Sequence, residues 1–138
     1  MKLPKLLGVL CLTACVAVGC KDTPTTPTTA TTANLQFASQ LAVKGSTSRS
    51  FESKKAGDAK IVFNSLSPDT GAAITISLGT FDGTTCTPTA TVLAAGGGSD
   101  AVMTTTIGVG MYCIRVSDPG VLTRTNDFYI TLTVPAGS

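Results

Sequence analysis

From Asn34 onward, apolar and hydroxyl-bearing residues alternate one by one, a period of two that admits β-strands and little else. Successive side chains of an extended strand leave on opposite faces. Ile74-Thr75-Ile76-Ser77-Leu78 therefore has one apolar face and one hydroxyl face. The run from Phe128 to Val134 repeats the pattern, with Phe128, Ile130, Leu132 and Val134 on its apolar side. Tyr112, Ile114 and Val116 form a third stripe, with Cys113 and Arg115 pointing the other way. Ile61 with Phe63 and Met103 with Ile107 give shorter versions. No later window offers the i, i+3, i+4, i+7 spacing of an amphipathic helix.

Turn chemistry separates these runs: Lys54 to Asp58, Ser67-Pro68-Asp69-Thr70-Gly71, Asp82-Gly83, Gly96 to Gly98, Gly108 to Gly110, and Asp118-Pro119-Gly120. Glycine supplies positive φ and proline fixes φ near −65°. The resulting expectation is eight strands near 41–44, 48–53, 59–66, 73–80, 90–95, 101–107, 111–117 and 127–134. Short strands separated by turns, with no helical segments between them, imply an all-β sandwich or barrel. One domain, residues 34–138, accounts for them.

The first 33 residues read differently. Lys2 and Lys5 precede an apolar run from Leu6 to Val18, the pattern of an export signal and too short for a membrane span. Ala17-Val18-Gly19-Cys20 resembles the lipobox of bacterial lipoproteins, in which the cysteine is lipidated and becomes the mature N-terminus. Leu12-Thr13-Ala14-Cys15 is the alternative. Cleavage before Cys20 keeps a fuller apolar core in a leader of residues 1–19 and starts the mature chain on polar Lys21-Asp22. Residues 20–33 then form a Thr/Pro-rich tether: its run from Asp22 to Ala33 offers almost no large apolar side chain to offset the entropy of ordering it.

Lipidation at Cys20 also leaves an even pair of cysteines, Cys86 and Cys113, in a chain that has left the cytosol. Their expected state is a disulfide. Lys2 and Lys5 are two of ten basic residues, so the cleaved chain carries eight against eight acidic ones. That balance provides no basic face for nucleic acid. Lys54, Lys55 and Lys60 are the densest basic patch and flank what reads as a hairpin turn.

The sequence contains no histidine, which removes Ser-His-Asp, Cys-His and histidine-metal chemistry. Glu52 is the sole glutamate, and the Ser/Lys neighbours Ser53-Lys54 and Ser46 with Lys44 sit at strand edges and turns. The chain is read as having no catalytic residues and no cofactor. Asp58, Asp69, Asp82, Asp100, Asp118 and Asp127 lie in or beside loops, where side chain to backbone turns account for them. Asp82 and Asp118 are the calcium candidates among them. Tyr112 is in phase with the core. Tyr129 is out of phase and is the candidate ligand-binding aromatic on the outer face.

Three stretches resemble the bacterial pre-peptidase C-terminal (PPC) domain. They are Arg49-Ser50-Phe51 leading through Gly57-Asp58-Ala59 to Ile61 and Phe63; Ile74 to Leu78 opening into Phe81-Asp82-Gly83; and the Gly108 to Val116 strand followed by Asp127 to Val134. The likeness spans Ser48 to Val134. It implies a jelly-roll-like sandwich that assists export or surface adhesion, with loop carboxylates that bind Ca²⁺ in some members.

The expected protein is thus lipid-anchored to the cell envelope, at the outer membrane or cell surface rather than the periplasm alone. Its membrane contact is the N-terminal lipid, and its partner is a protein or glycan. A self-assembling envelope component and an accessory subunit of a secreted hydrolase are the alternatives.

Overall fold

The computed structural model describes residues 32–137. The leader, both candidate lipidation cysteines (Cys15 and Cys20) and residues 20–31 of the tether lie outside the described residues. Eight strands follow in order: β1 Thr32–Leu41, β2 Ser46–Ser53, β3 Gly57–Ser67, β4 Ala73–Phe81, β5 Cys86–Ala95, β6 Ala101–Ile107, β7 Gly110–Ser117 and β8 Asn126–Pro135. They form two four-stranded antiparallel sheets, ordered β1-β8-β3-β6 and β2-β7-β4-β5. That is the strand order of a jelly roll, the sandwich expected from the alternation and turns.

Six of the seven connections cross from one sheet to the other, and only β4 to β5 joins neighbours in one sheet. The lysine-bearing segment at 54–56 is therefore a crossing between sheets, not the hairpin turn its sequence suggested. Antiparallel order also sorts the connections into two ends. Thr32 pairs with Pro135 at one end, beside the turns at 54–56, 82–85 and 108–109. The loops at 42–45, 68–72, 96–100 and 118–125 occupy the other end.

Inward residues of both sheets meet in one apolar layer. Ile61, Phe63 and Ile130 from the first sheet, with Ile74, Ile76 and Val116 from the second, are completely buried. Phe37 meets Phe128 edge-to-face with ring centroids 5.0 Å apart. Tyr112 is half-buried against this layer, stacked on Phe51 at 5.9 Å, and its hydroxyl accepts the Gly108 N–H. Cys113 is buried although it points outward, and Arg115 beside it is exposed, in keeping with the face assigned to them from sequence.

Strand positions differ from expectation in two places. The first strand runs from Thr32 to Leu41, starting two residues inside the segment read as tether, and of the stretch placed at 41–44 only Leu41 is in a strand, the rest entering a turn. In that turn the Gly45 N–H donates to the Ala42 carbonyl, and Lys44 adopts φ 54°. The fifth strand starts at Cys86, so Cys86 opens a strand where a loop was expected.

Burial sets the cost of changing each face. Ile76→Ala, in the fully buried layer, is expected to lower unfolding free energy by about 2–5 kcal/mol in urea denaturation. Leu93→Ala, on a residue 62 % exposed, is expected to change it by less than ~0.5 kcal/mol.

Candidate functional site

Cys86 and Cys113 are bonded, with their Cα atoms 5.7 Å apart. The four-residue turn at 82–85 creates the approach. Asp82 Oδ1 accepts the backbone N–H of Thr84 (2.8 Å) and of Thr85 (2.6 Å) together with the Thr84 hydroxyl (3.0 Å), and Gly83 supplies φ 103°. This closes the hairpin so that Cys86 faces Phe81. Cys113 lies on β7 opposite Gly79 of β4, so the bridge spans β4 from the edge strand β5. The Cys113 sulfur rests 3.3 Å from the Thr80 carbonyl oxygen. Residue 79 must be glycine for this crossing, since a Cβ there would sit 2.0 Å from the Thr87 carbonyl oxygen and 2.8 Å from the Pro88 Cα. The close approach coincides with a register shift in the β4/β5 ladder between Leu78 and Gly79.

Two carboxylates organise the opposite end. Asp118 Oδ2 accepts the Lys44 N–H at 2.7 Å, and Oδ1 accepts the N–H groups of Gly120, Val121 and Leu122 at 2.8–3.2 Å. One side chain thus fastens the 42–45 turn to the loop after β7. Asp69 receives the backbone N–H and hydroxyl of Thr123 and the side-chain amide of Asn126. Asn126 is fully buried, and its Oδ1 accepts the Asp69 N–H in return at 2.7 Å. That reciprocal pair joins the loop after β3 to the start of β8.

The electrostatics follow from these bonds. Burial raises the Asp118 carboxyl, but the N–H donors of Lys44, Val121, Gly120 and Leu122 outweigh it and leave the group below the ordinary value. Asp69 is held low by the Thr123 N–H and then by Asn126, and Asp82 by the N–H groups of Thr85 and Thr84. The two calcium candidates, Asp82 through Oδ1 and Asp118 through both oxygens, thus accept backbone N–H groups at opposite ends of the sandwich. Among the described residues no three Asp, Glu, Cys or His side chains converge as a cation site would require.

Tyr129 lies half-buried on the outer face of the first sheet, in register with Ala38 on one side and Ser65 on the other. Lys55 and Lys60 line an open cleft of about 470 Å³ with Asp58, Thr32 and Pro135, at the end where residue 32 begins β1. Lys54 faces a neighbouring cleft with Glu52. Each lysine group is thus accompanied by an acidic side chain. Ser53 is buried, and its hydroxyl donates to the Lys55 carbonyl, away from any lysine amine. Sequence reasoning recognised Asp82 as turn chemistry. It missed the Asp118–Lys44 and Asp69–Asn126 ties, because their partners stand 74 and 57 residues apart.

No protein-family model and no curated protein matches the chain. Among solved structures, a chain from Bacillus endospore appendages, described as a novel family of disulfide-linked pili, superposes with a TM-score of 0.39 at 14% identity. The overlay covers 77% of this chain and 88% of that one, and is too loose to bear on function.

Two stability tests follow from the geometry. Replacing both cysteines (Cys86→Ala with Cys113→Ala) opens a loop of sequence separation 27 and is expected to cost about 3–4 kcal/mol in urea denaturation. The three lowered carboxylates contribute stability that is present above their ordinary value of 3.8 and is lost as pH falls through their lower folded values. Urea midpoints are therefore expected to fall on acidification below pH 3.8. Asp118→Ala should lower the midpoint at neutral pH, by about 1–3 kcal/mol of stability, and flatten its acid dependence.

Proposed function

We propose that this chain is an exported, lipid-anchored β-sandwich that makes non-catalytic contacts with a protein or glycan at the cell envelope. The observation that carries the reading is the polarity of the fold. The chain enters at Thr32, beside Pro135, and four loops gather at the opposite end. A domain tethered at its entry point presents those far loops to its surroundings, roughly 30 Å away along a ten-residue strand. The ties at Asp118 and Asp69 fix the loops in advance, which limits the entropy lost on binding. The disulfide fits a compartment that is oxidising.

Anchoring is assigned to Cys20, with a tether of residues 20–33 whose last two residues already belong to β1. A span of 12 residues from Cys20 to Thr32 reaches at most ~40 Å when extended, enough to hold the sandwich clear of a bilayer. The absence of histidine and the engagement of the loop carboxylates by backbone donors favour contact over chemistry.

Mass spectrometry of the N-terminal peptide of the native protein tests the anchor. The expected result is a peptide that starts at Cys20 and carries acyl chains. An uncleaved leader, or a cleaved chain without lipid, overturns the anchored reading.

A further inference from the structure

We propose that the loop end opposite the chain entry carries a contact site for an acidic, apolar protein segment, built from Val43 and Lys44 of the 42–45 turn and Val121 of the loop after β7. The inference rests on the reading of that end as the contacting one, and it chooses a protein over a glycan. Both valines are open to solvent, Val43 being 43 % and Val121 48 % exposed. One carboxylate brings them together. Asp118 accepts the Lys44 N–H through Oδ2 and the Val121 N–H through Oδ1, so the two backbones lie within roughly 8 Å of each other. Of the other exposed large apolar residues, Leu93 stands on the edge strand β5, and Val109 and Met111 belong to the entry end. Scattered apolar side chains are ordinary on a surface, whereas two on loops fixed to one carboxylate form an anchor that needs little ordering on binding.

Lys44 supplies the second observation. The Gly45 N–H donates to the Ala42 carbonyl, which closes a four-residue turn with Lys44 in its third place. The φ of 54° at Lys44 is the left-handed conformation that glycine or asparagine ordinarily fills there. The surroundings impose it: Asp118 takes the Lys44 N–H, and the Asp118 N–H donates to the Gly45 carbonyl. Backbone energetics alone favour glycine at this place, so a lysine there answers to something other than the turn.

The chemistry of the site selects its occupant. Asp118 aims both oxygens at backbone N–H groups rather than at the lysine amine. Asp69, which fastens the neighbouring loops, is engaged by Thr123 and Asn126. The Lys44 cation is therefore offered to a carboxylate from outside, flanked by two aliphatic side chains. A protein segment that sets Asp or Glu beside Leu, Ile or Val meets both demands, with the charge fixing its register. The four loops at this end contain no aromatic side chain against which a sugar ring could pack.

Panning a random peptide library against the full chain in detergent tests the site, with fluorescence anisotropy of the enriched peptides and a glycan array as the second arm. Enriched peptides are expected to place Asp or Glu next to Leu, Ile or Val. Val121→Ser and Lys44→Gly should each weaken their binding by at least about tenfold, while Val109→Ser at the entry end leaves it unchanged. Lys44→Gly should do so with a urea midpoint at or above that of the wild type, a combination a merely structural lysine would not give. Should Val121→Ser lower the urea midpoint, Val43→Ser takes its place. The proposal is overturned by peptides without the acidic, aliphatic pattern, or by Lys44→Gly binding them like wild type. Array glycans whose binding Lys44→Gly abolishes overturn the choice of a protein and keep the contacting end. Peptides that respond to Val109→Ser alone overturn that end as well, and none of these results bears on the N-terminal lipid.

Discussion

The molecule stands on the closure of two apolar sheet faces over one another. Neither sheet is a folding unit by itself: six of the seven connections pass between them, so apart from the β4–β5 hairpin no strand is hydrogen-bonded to its neighbour in sequence. Ile61, Phe63 and Ile130 on one side, and Ile74, Ile76 and Val116 on the other, lose all contact with water together. Burial on that scale is the main favourable term against chain entropy. Loops, bridge and carboxylates only refine an arrangement this layer has fixed.

The refinements sit where the layer is thinnest. β5 contributes Ala90, Val92 and Ala94 inward, each only half-buried, so it has little apolar area with which to hold its place. The disulfide reaches over β4 to that strand from the sheet's outer face, supplying by covalent constraint what side-chain burial does not. At the far end the loops have few apolar groups, and there Asp118 and Asp69 gather backbone N–H donors from segments distant in sequence. These N–H donors favour the charged form of both carboxylates, so each stays ionised while it ties its loops together.

Most of the layer was legible from alternation alone. Ile74 to Leu78, Tyr112 to Val116 and Phe128 to Val134 are strands with the faces their periodicity assigned. The pairing of Cys86 with Cys113 followed from counting cysteines. β1 was misplaced even though Ala33, Leu35 and Phe37 alternate with Asn34 and Gln36. Its start is continuous with the threonine run, and Leu41 and Val43 across the turn imitate a strand of their own. The first residues of β5 were lost because Thr87-Pro88 reads as loop, although an edge strand tolerates proline. Strand order and the long-range ties were not legible at all. They depend on which distant segments share a sheet, and a single sequence carries no local mark of that.

β8, the last of the eight described strands in chain order, lies between β1 and β3 and supplies hydrogen bonds to both. A nascent chain that has not yet released it holds a first strand with no neighbour and half a core with no lid. Closure of the sandwich consequently waits for β8, and the slow, non-local pairing typical of β-sandwiches delays it further. For that interval the β8-facing edges of β1 and β3 stand unpaired, the state in which such strands are most open to pairing with other chains.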